Sequence, residues 1–518
     1  MPKNVKSCMV KFVVFSLIGI LSSQAELAAQ VSPIWGKLQP GPHRIGFQTF
    51  EEYDYSRTFR PKRDYFGAQL PGERARPIQI CVWYPARPAV EDVEITYGEY
   101  VFPNPEDPDF YAFLSGLQRR ELLYLISLPG SSGGLVLDAM SVGVAAVRNA
   151  PPEEGQFPLL LYFPDVGRGL SDNLVLCEYL ASHGFVVATT NSAGMADMSP
   201  TADQADLETL IRDREFALAH LRDLDFVDKD RLGVLGRGFG GLAALIMQMR
   251  NYDIDAVAGL DAWSVLREHL EFATLNPNFN AGRMITPLLQ IYYKDEPTSD
   301  LALLDSCKYA DRYLAGFENR SEDDLSSYGA IRQLLADSVD LTLAISRPSY
   351  DLACRHTRDF FKAHLEADEA SRASLTATGT TTFKSGQDLP PTTDQFLAII
   401  RNQGADRAVE IWDKFKESDP GSITVPEATL NAAGYQMLQS GRSEEAVKLF
   451  RINAESYPGS ANCWDSYADG LIAIGDHEGA IRCYKKVLEV LPTDQAADES
   501  LKQTLRTNAE QGLLRLEG

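Results

Sequence analysis

Short apolar runs alternate with amphipathic stretches through the first two thirds of the chain. Seven runs are rich in Val, Ile, Leu and aromatic residues and end at turn-forming residues, which is typical of strands buried on both faces of a sheet. The runs are residues 78–83, 159–163, 185–189, 232–235, 256–260, 288–292 and 341–345. Between them, residues 171–182 and 203–224 have the periodicity of helices. The pattern predicts an α/β fold in which helices cover both faces of a mostly parallel sheet.

The C-terminal part of the chain repeats itself at a fixed interval. Four residues recur in the same order and with the same displacement: Gly441, Ala446, Phe450 and Pro458 return as Gly475, Ala480, Tyr484 and Pro492. This interval and this order of residues resemble the tetratricopeptide repeat, in which each unit is a pair of antiparallel helices. We expect a helical domain over residues 394–518, with clear repeats in 427–494. The resemblance implies a protein or peptide partner, but a helical appendage without a ligand of its own is an equally valid interpretation.

Length and composition fit two folded domains. A chain of 518 residues exceeds one ordinary core. We place an α/β domain at residues 31–366 and a linker at 367–393, a segment rich in Thr, Ser and Gly and poor in large apolar residues. The formal net charge of -23 argues against nucleic acid or an anionic membrane surface as a partner.

The N-terminus has the features of a secretory signal peptide. Lysines precede an apolar run of about ten residues, and small residues follow at Ser23 and Ala25. Such a run is too short to span a bilayer, which needs about twenty apolar residues. We therefore expect cleavage after residue 25, export to the periplasm or the medium, and no membrane span.

The cysteines give no sign of a metal or redox site. Beyond the predicted signal peptide there are six, and none forms a C-x-x-C pair. We expect buried free thiols and no metal or other cofactor.

A glycine-rich turn follows the run at 232–235. The residues Gly236-Arg237-Gly238-Phe239-Gly240 have the layout of a nucleophile elbow, G-x-S-x-G, with glycine in the place of the serine. The small flanking residues suit the close approach of a strand and a helix. The missing hydroxyl raises the question of whether the chain is an enzyme.

Four stretches together resemble the α/β-hydrolase fold. They are RPIQICVWYPA at 76–86, FPLLLYFPDVGRG through LASHGFVVA at 157–188, DKDRLGVLGRGFGG at 228–241 and GLDAW at 259–263. Within that fold they are most similar to the platelet-activating-factor acetylhydrolases and the dienelactone-hydrolase-like proteins. The resemblance covers about residues 40–366, and it implies an esterase ancestry.

The resemblance assigns roles to residues in separate loops. It places the nucleophile at Gly238, where no side chain exists, and the triad carboxylate at Asp261. The backbone N–H groups of Val166 and Phe239 would form the oxyanion hole. A carboxylate at Asp165, in a loop where the family usually has H-G-x-G, would oppose the negative charge of an oxyanion.

The catalytic base is also missing. The family carries H-x-x-F-x-D after its last strand, and the matching residues 346–351 are SRPSYD. Arg347 cannot act as a general base because it stays protonated. His356 lies within a predicted final helix. Ser132 satisfies G-x-S-x-G but follows a proline before the central strands, which indicates a turn or a helix start, and His183 fits a structural turn.

Two functions remain open. The first is an exported pseudohydrolase that acts by binding a protein, or a small ligand in the space above Gly238. The alternative is an active carboxylic-ester hydrolase, for an acyl ester, a lactone or an acetyl-phospholipid, with a non-standard site.

Overall fold

The described residues form two units, one that ends at Gln387 and one that begins at Asp388. The computed structural model describes residues 32–102, 105, 107–128, 131–191, 193–195, 200–318, 322–335, 341–377, 379–418, 423 and 425–517. The predicted signal peptide, residues 1–25, lies outside these ranges.

One large sheet organises the first unit. Among the described residues it has eleven strands in the order β11-β10-β9-β8-β7-β5-β6-β2-β1-β4-β3. Their bounds are β1 Arg44–Thr58, β2 Ala75–Ala86, β3 Glu94–Thr96, β4 Gly143–Arg148, β5 Phe157–Phe163, β6 Val186–Thr190, β7 Val227–Arg237, β8 Ala256–Leu260, β9 Leu288–Tyr293, β10 Arg312–Phe317 and β11 Thr381–Lys384. Six consecutive strands from β6 to β10 are parallel, and antiparallel strands extend both sides.

Helices cover both faces of this sheet. Their bounds are α1 Tyr97–Val101, α2 Pro108–Ser127, α3 Gly133–Met140, α4 Leu174–Ser182, α5 Gln204–Leu221, α6 Gly238–Arg250, α7 Leu270–Thr274, α8 Ala302–Ser306, α9 Tyr328–Leu335, α10 Leu341–Leu365 and α11 Glu369–Ala377. The fold class predicted from the pattern of apolar runs is confirmed.

Alternate residues of the central strands enter two separate cores. In β5, Leu160 and Tyr162 pack with residues of α4 and α10, whereas Leu159 and Leu161 pack with α5 and α6. Successive strand side chains point to opposite faces, so a strand covered on both faces is apolar throughout. This is why these strands were visible as unbroken apolar runs.

Two expectations about the end of this unit differ from the structure. Residues 341–345 are not a strand, because their backbone belongs to α10. The strand beside β9 is β10, which the sequence pattern did not predict. An apolar run of five residues fits a buried strand or the inner side of a helix, and periodicity cannot separate the two.

The segment predicted as a linker, residues 367–393, contains ordered elements. It includes α11 and β11, and β11 pairs antiparallel with β10 at the edge of the sheet. Threonine is common in strands, and an edge strand has few apolar neighbours. The Thr-rich composition therefore reflects an exposed edge rather than a connection between domains.

The second unit is entirely helical in its described residues. Its helices are α12 Thr393–Gln403, α13 Ala405–Ser418, α14 Glu427–Gln439, α15 Ser443–Ser456, α16 Ala461–Ile474, α17 His477–Val490 and α18 Glu499–Glu517. The helix pair α14–α15 is followed by the pair α16–α17 at the interval of the sequence repeat. Assignment to the tetratricopeptide class stays a prediction.

The described part of the chain also bears on two smaller expectations. None of its helices combines the length and the apolar character needed to cross a membrane. The six described cysteines are free and buried.

Candidate functional site

The turn after β7 has the geometry of a nucleophile elbow. Gly238 has φ of +53° and starts α6 directly after the strand. This left-handed conformation is available to glycine without the steric penalty that other residues meet. A Cβ at Gly236 or at Gly240 would overlap backbone atoms of the facing segment. The elbow is therefore kept in form, and only the serine side chain is missing.

The carboxylate of Asp165 occupies the space where a nucleophile would lie. Asp165 follows β5, the strand beside β7. A Cβ added at Gly238 would overlap the carboxylate carbon and both of its oxygens. The space above Gly238, which the sequence suggested as room for a ligand, is thus filled by a side chain of the protein itself.

The same carboxylate accepts hydrogen bonds from both of the predicted oxyanion-hole donors. Asp165 Oδ1 accepts a hydrogen bond from the backbone N–H of Phe239 at 2.9 Å and from that of Val166 at 2.8 Å. These are the two groups that would stabilise the oxyanion of an acyl-transfer intermediate. The sequence analysis expected Asp165 to oppose such an anion. The structure goes further, because an internal anion already fills the hole.

A buried ion network surrounds Asp165. Nη2 of Arg237 lies 3.3 Å from Asp165 Oδ2 and 2.8 Å from Asp172 Oδ1. Tyr162 donates from its hydroxyl to Asp172 Oδ2 at 2.5 Å. Burial opposes the charge of Arg237, but the carboxylates of Asp172 and Asp165 outweigh it and raise the pKa of Arg237. The guanidinium therefore stays charged and balances two carboxylates in the interior.

Sequence reasoning missed this network. Arg237 was noted only as the variable residue of the elbow, and Asp172 and Tyr162 were given no role. The available signal was an arginine at the end of an apolar strand that is buried between other strands. An arginine at such a position needs a carboxylate partner, and the loop after β5 supplies two.

Asp261, the predicted triad acid, lies directly after β8. Its φ is +46°, and its backbone N–H donates to the carbonyl of Ile291 at 2.8 Å. β8 is the neighbour of β7, so Asp261 is at the same edge of the sheet as Gly238. Its role as a triad acid stays a prediction.

The loop in which a catalytic histidine is expected differs from the one assigned from the sequence. Because residues 346–351 are part of α10, the loop after the last parallel strand is the one that follows β10. The sequence from Glu318 to Leu335 contains no histidine. The assignment of residues 346–351 to this loop was wrong, and the loss of the base stays a prediction.

His356 contacts residues at the end of β10, which is three strands from β7 in the sheet. It is buried against the ring of Phe317, with its Nε2 3.4 Å from the hydroxyl of Thr380, and burial lowers its pKa. Ser132 is the N-cap of α3, where it accepts from the backbone N–H of Leu135, as predicted for a helix start. His183 ends α4, and its Nδ1 lies 2.8 Å from the carbonyl oxygen of Tyr179.

A different histidine lies beside the elbow. The ring of His269 stacks on Trp263 with a centroid distance of 3.6 Å, and Trp263 meets Phe239 edge-on at 4.9 Å. Burial lowers the pKa of His269, and the nearby carboxylates of Glu268 and Asp165 only partly oppose this. Sequence reasoning gave His269 no role because no chemical motif surrounds it.

Comparisons with known proteins add little beyond the fold. No protein-family model matches the chain, and no curated protein matches it. Among solved structures, it is similar to a ferulic acid esterase from Streptomyces cinnamoneus, with 17% sequence identity, covering 66% of this chain and 96% of that chain, at a TM-score of 0.44. A similarity at this level does not by itself assign the fold. The order of strands in the sheet and the elbow after β7 define an α/β-hydrolase type of fold.

Proposed function

We propose that this chain is an exported α/β-hydrolase-like protein of esterase ancestry that does not hydrolyse esters and acts by binding. The observation that carries the proposal is the Asp165 carboxylate, which fills both the nucleophile position above Gly238 and the oxyanion hole. Ester hydrolysis by this fold needs a nucleophile, a base and an empty oxyanion hole. The first two are missing from their expected loops, and the third is occupied.

Each loss acts on a different step of the reaction. Without a hydroxyl at Gly238 no acyl-enzyme can form. An anion on Val166 and Phe239 repels a substrate carbonyl at the moment when its oxygen becomes negative. The export part of the proposal is supported by residues 1–25 alone, through their charge and apolar pattern.

The test is ester turnover by the purified protein. We expect no hydrolysis of p-nitrophenyl acetate or of an acetyl-phospholipid above the buffer rate, and no labelling by a fluorophosphonate, which reacts with an activated serine. A serine esterase assayed in parallel shows that both reagents work. Turnover that disappears in an Asp165→Asn or His269→Ala variant would overturn the proposal.

A second candidate is an ester hydrolase with a non-standard site. The specific observation in its favour is His269, an imidazole with a lowered pKa close enough to Asp165 for their charges to interact. Such an enzyme would activate water instead of a serine. Turnover without fluorophosphonate labelling, lost in His269→Ala and kept in His356→Ala, would favour it.

A further inference from the structure

Two carboxylates lie one turn apart on α16, in the second unit. Asp465 is 7% exposed, and its Oδ1 has no hydrogen-bond partner in the described part of the chain. Among the described residues, the hydrogen bond that its Oδ2 accepts is a long one, 3.4 Å from the amide nitrogen of Asn508. A buried carboxylate normally has strong donors or a cation beside it. Asp465 is thus an incompletely satisfied anion.

The groups around this pair are mostly neutral. Asp469 accepts a hydrogen bond from the hydroxyl of Tyr435 at 2.9 Å, and the same hydroxyl lies 3.2 Å from Oγ of Ser466. Arg515 of α18 is near enough to lower the pKa of Asp469, but burial outweighs it and the pKa is raised. Burial and the charge of Asp469 raise the pKa of Asp465 to about 6.

The preceding repeat contributes another acceptor at the equivalent position. Asn431 of α14 has the place in its repeat that Asp465 has in the next one, and Tyr435 corresponds to Asp469 in the same way. The Oδ1 of Asn431 is buried and has no hydrogen-bond partner in the described part of the chain. Tyr435 and Asp469 are in contact, and Asn431 and Asp465 are the matching pair of repeat positions one helical turn earlier in the sequence. We call Asn431, Tyr435, Asp465 and Asp469 the dicarboxylate face.

The chemistry of this face defines its ligand. The unpartnered atoms are acceptors, and two of the four side chains are anions. A cation with several N–H donors would satisfy both needs, as an ammonium or a guanidinium does. A divalent metal ion fits less well, because Ca²⁺ takes about six to eight oxygen ligands and Mg²⁺ about six.

We propose that the dicarboxylate face binds the positively charged side chain of a lysine or arginine in a partner polypeptide. This inference goes beyond the proposed function and does not depend on it, since the hydrolase-like site is in the other unit. The proposed function is tested by ester turnover and this inference by peptide binding, so each can be refuted without the other.

Peptide binding to the full chain tests the inference. The peptide Ala-Lys-Ala-Ala-Lys-Ala amide, its arginine analogue and its norleucine analogue each carry fluorescein on the N-terminal amine. They are titrated by fluorescence polarisation at about 0.15 M salt, where distant charges are screened. The variant is Asp465→Asn/Asp469→Asn. The control is Glu478→Gln/Glu499→Gln, which removes the same charge from side chains that are 93% exposed.

We expect saturable binding of the lysine and arginine peptides but not of the norleucine peptide. Affinity should fall at least tenfold in the Asp465→Asn/Asp469→Asn variant and stay within twofold in the control. Equal losses in both variants, or no binding at peptide concentrations of about 1 mM, would overturn the proposal. No peptide binding, together with saturable binding of Mg²⁺ or Ca²⁺ that is lost in the Asp465→Asn/Asp469→Asn variant, would overturn the proposal and assign the face to a metal ion.

A pH series with the wild-type chain keeps the test valid if the double variant does not fold. Binding through Asp465 should weaken as the pH falls through about 6. Attraction by ordinary surface carboxylates would persist to about pH 4. A midpoint near 4 would therefore count against the proposal.

Discussion

Replacing Gly238 by serine should destabilise the protein strongly. The backbone at residue 238 is left-handed, which costs about 1–2 kcal/mol for a residue with a Cβ. The new Cβ also overlaps the Asp165 carboxylate, so that side chain must leave. It then loses its hydrogen bonds from Phe239 and Val166, each worth about 1.5–3 kcal/mol because the acceptor is charged.

Gly167 offers a matched control in the same loop. Its φ is +71°, and no atom in the described part of the chain lies within 4 Å of a Cβ built there. Gly167→Ser therefore carries the backbone penalty without the collision. We expect the loss of unfolding free energy in Gly238→Ser to exceed that in Gly167→Ser by about 3–6 kcal/mol, the value of the two displaced hydrogen bonds.

Urea unfolding followed by tryptophan fluorescence measures both changes. Adding Asp165→Ala completes a double-mutant cycle with Gly238→Ser. The two single losses should sum to about 3–6 kcal/mol more than the loss in the double variant, because the same hydrogen bonds can be lost only once. Equal losses in the two serine variants, or a cycle additive to within about 0.5 kcal/mol, would refute the reasoning.

Three further changes test other parts of the structure. Asp172→Asn leaves the buried Arg237 short of a partner and should lower the unfolding free energy by about 3–5 kcal/mol in urea, whereas an unchanged value would mean that water or Asp165 compensates. Burial lowers the pKa of His183 to about 4. The unfolded chain therefore binds a proton there first as the pH falls below about 6.5, and stability from this group is lost by about 2 kcal/mol between pH 7.5 and 5. His183→Asn should remove that part of the pH dependence, and parallel curves for variant and wild type would contradict the assignment. Asp465, with its pKa raised to about 6, gives the opposite sign. Its contribution is present below about pH 4 and lost as the pH rises through 6, so Asp465→Asn should stabilise the chain by at most about 3 kcal/mol at pH 7.5 and not at pH 4. A variant less stable than wild type at pH 7.5 would count against the burial of an unpartnered carboxylate.

The sheet could be predicted where strands are buried on both faces. The run Ala256–Leu260 matches β8 to the residue, because such strands are apolar without interruption. β10 was missed because its sequence, Arg312–Phe317, begins with a charged residue and contains a glycine. The loop after β10 is the one in which the catalytic base is expected. A short strand of this kind forms because it pairs with a neighbouring strand, here β9. That neighbour is in position only in the folded sheet.

The site could be predicted as a set of loops but not as a set of contacts. The elbow and the loop after β5 were identified, and Asp165 was recognised as unfavourable for an oxyanion. That its carboxylate lies on Gly238 depends on three groups that converge from Val166, Arg237 and Phe239. The orientation of one side chain toward them is a property of the packed interior, to which local sequence patterns are insensitive.

That convergence changes the meaning of the sequence. The glycine at 238 and the aspartate at 165 looked like independent departures from an esterase pattern. In the structure they are one coupled change, since a serine at 238 excludes the carboxylate and the carboxylate excludes a serine. Once both are present, a serine at 238 alone collides with Asp165. Removing Asp165 alone takes the acceptor from the N–H groups of Val166 and Phe239 and leaves Arg237 with less countercharge. Each single substitution back toward the esterase pattern should therefore be destabilising, which gives a physical reason for glycine at 238 and aspartate at 165 to occur together.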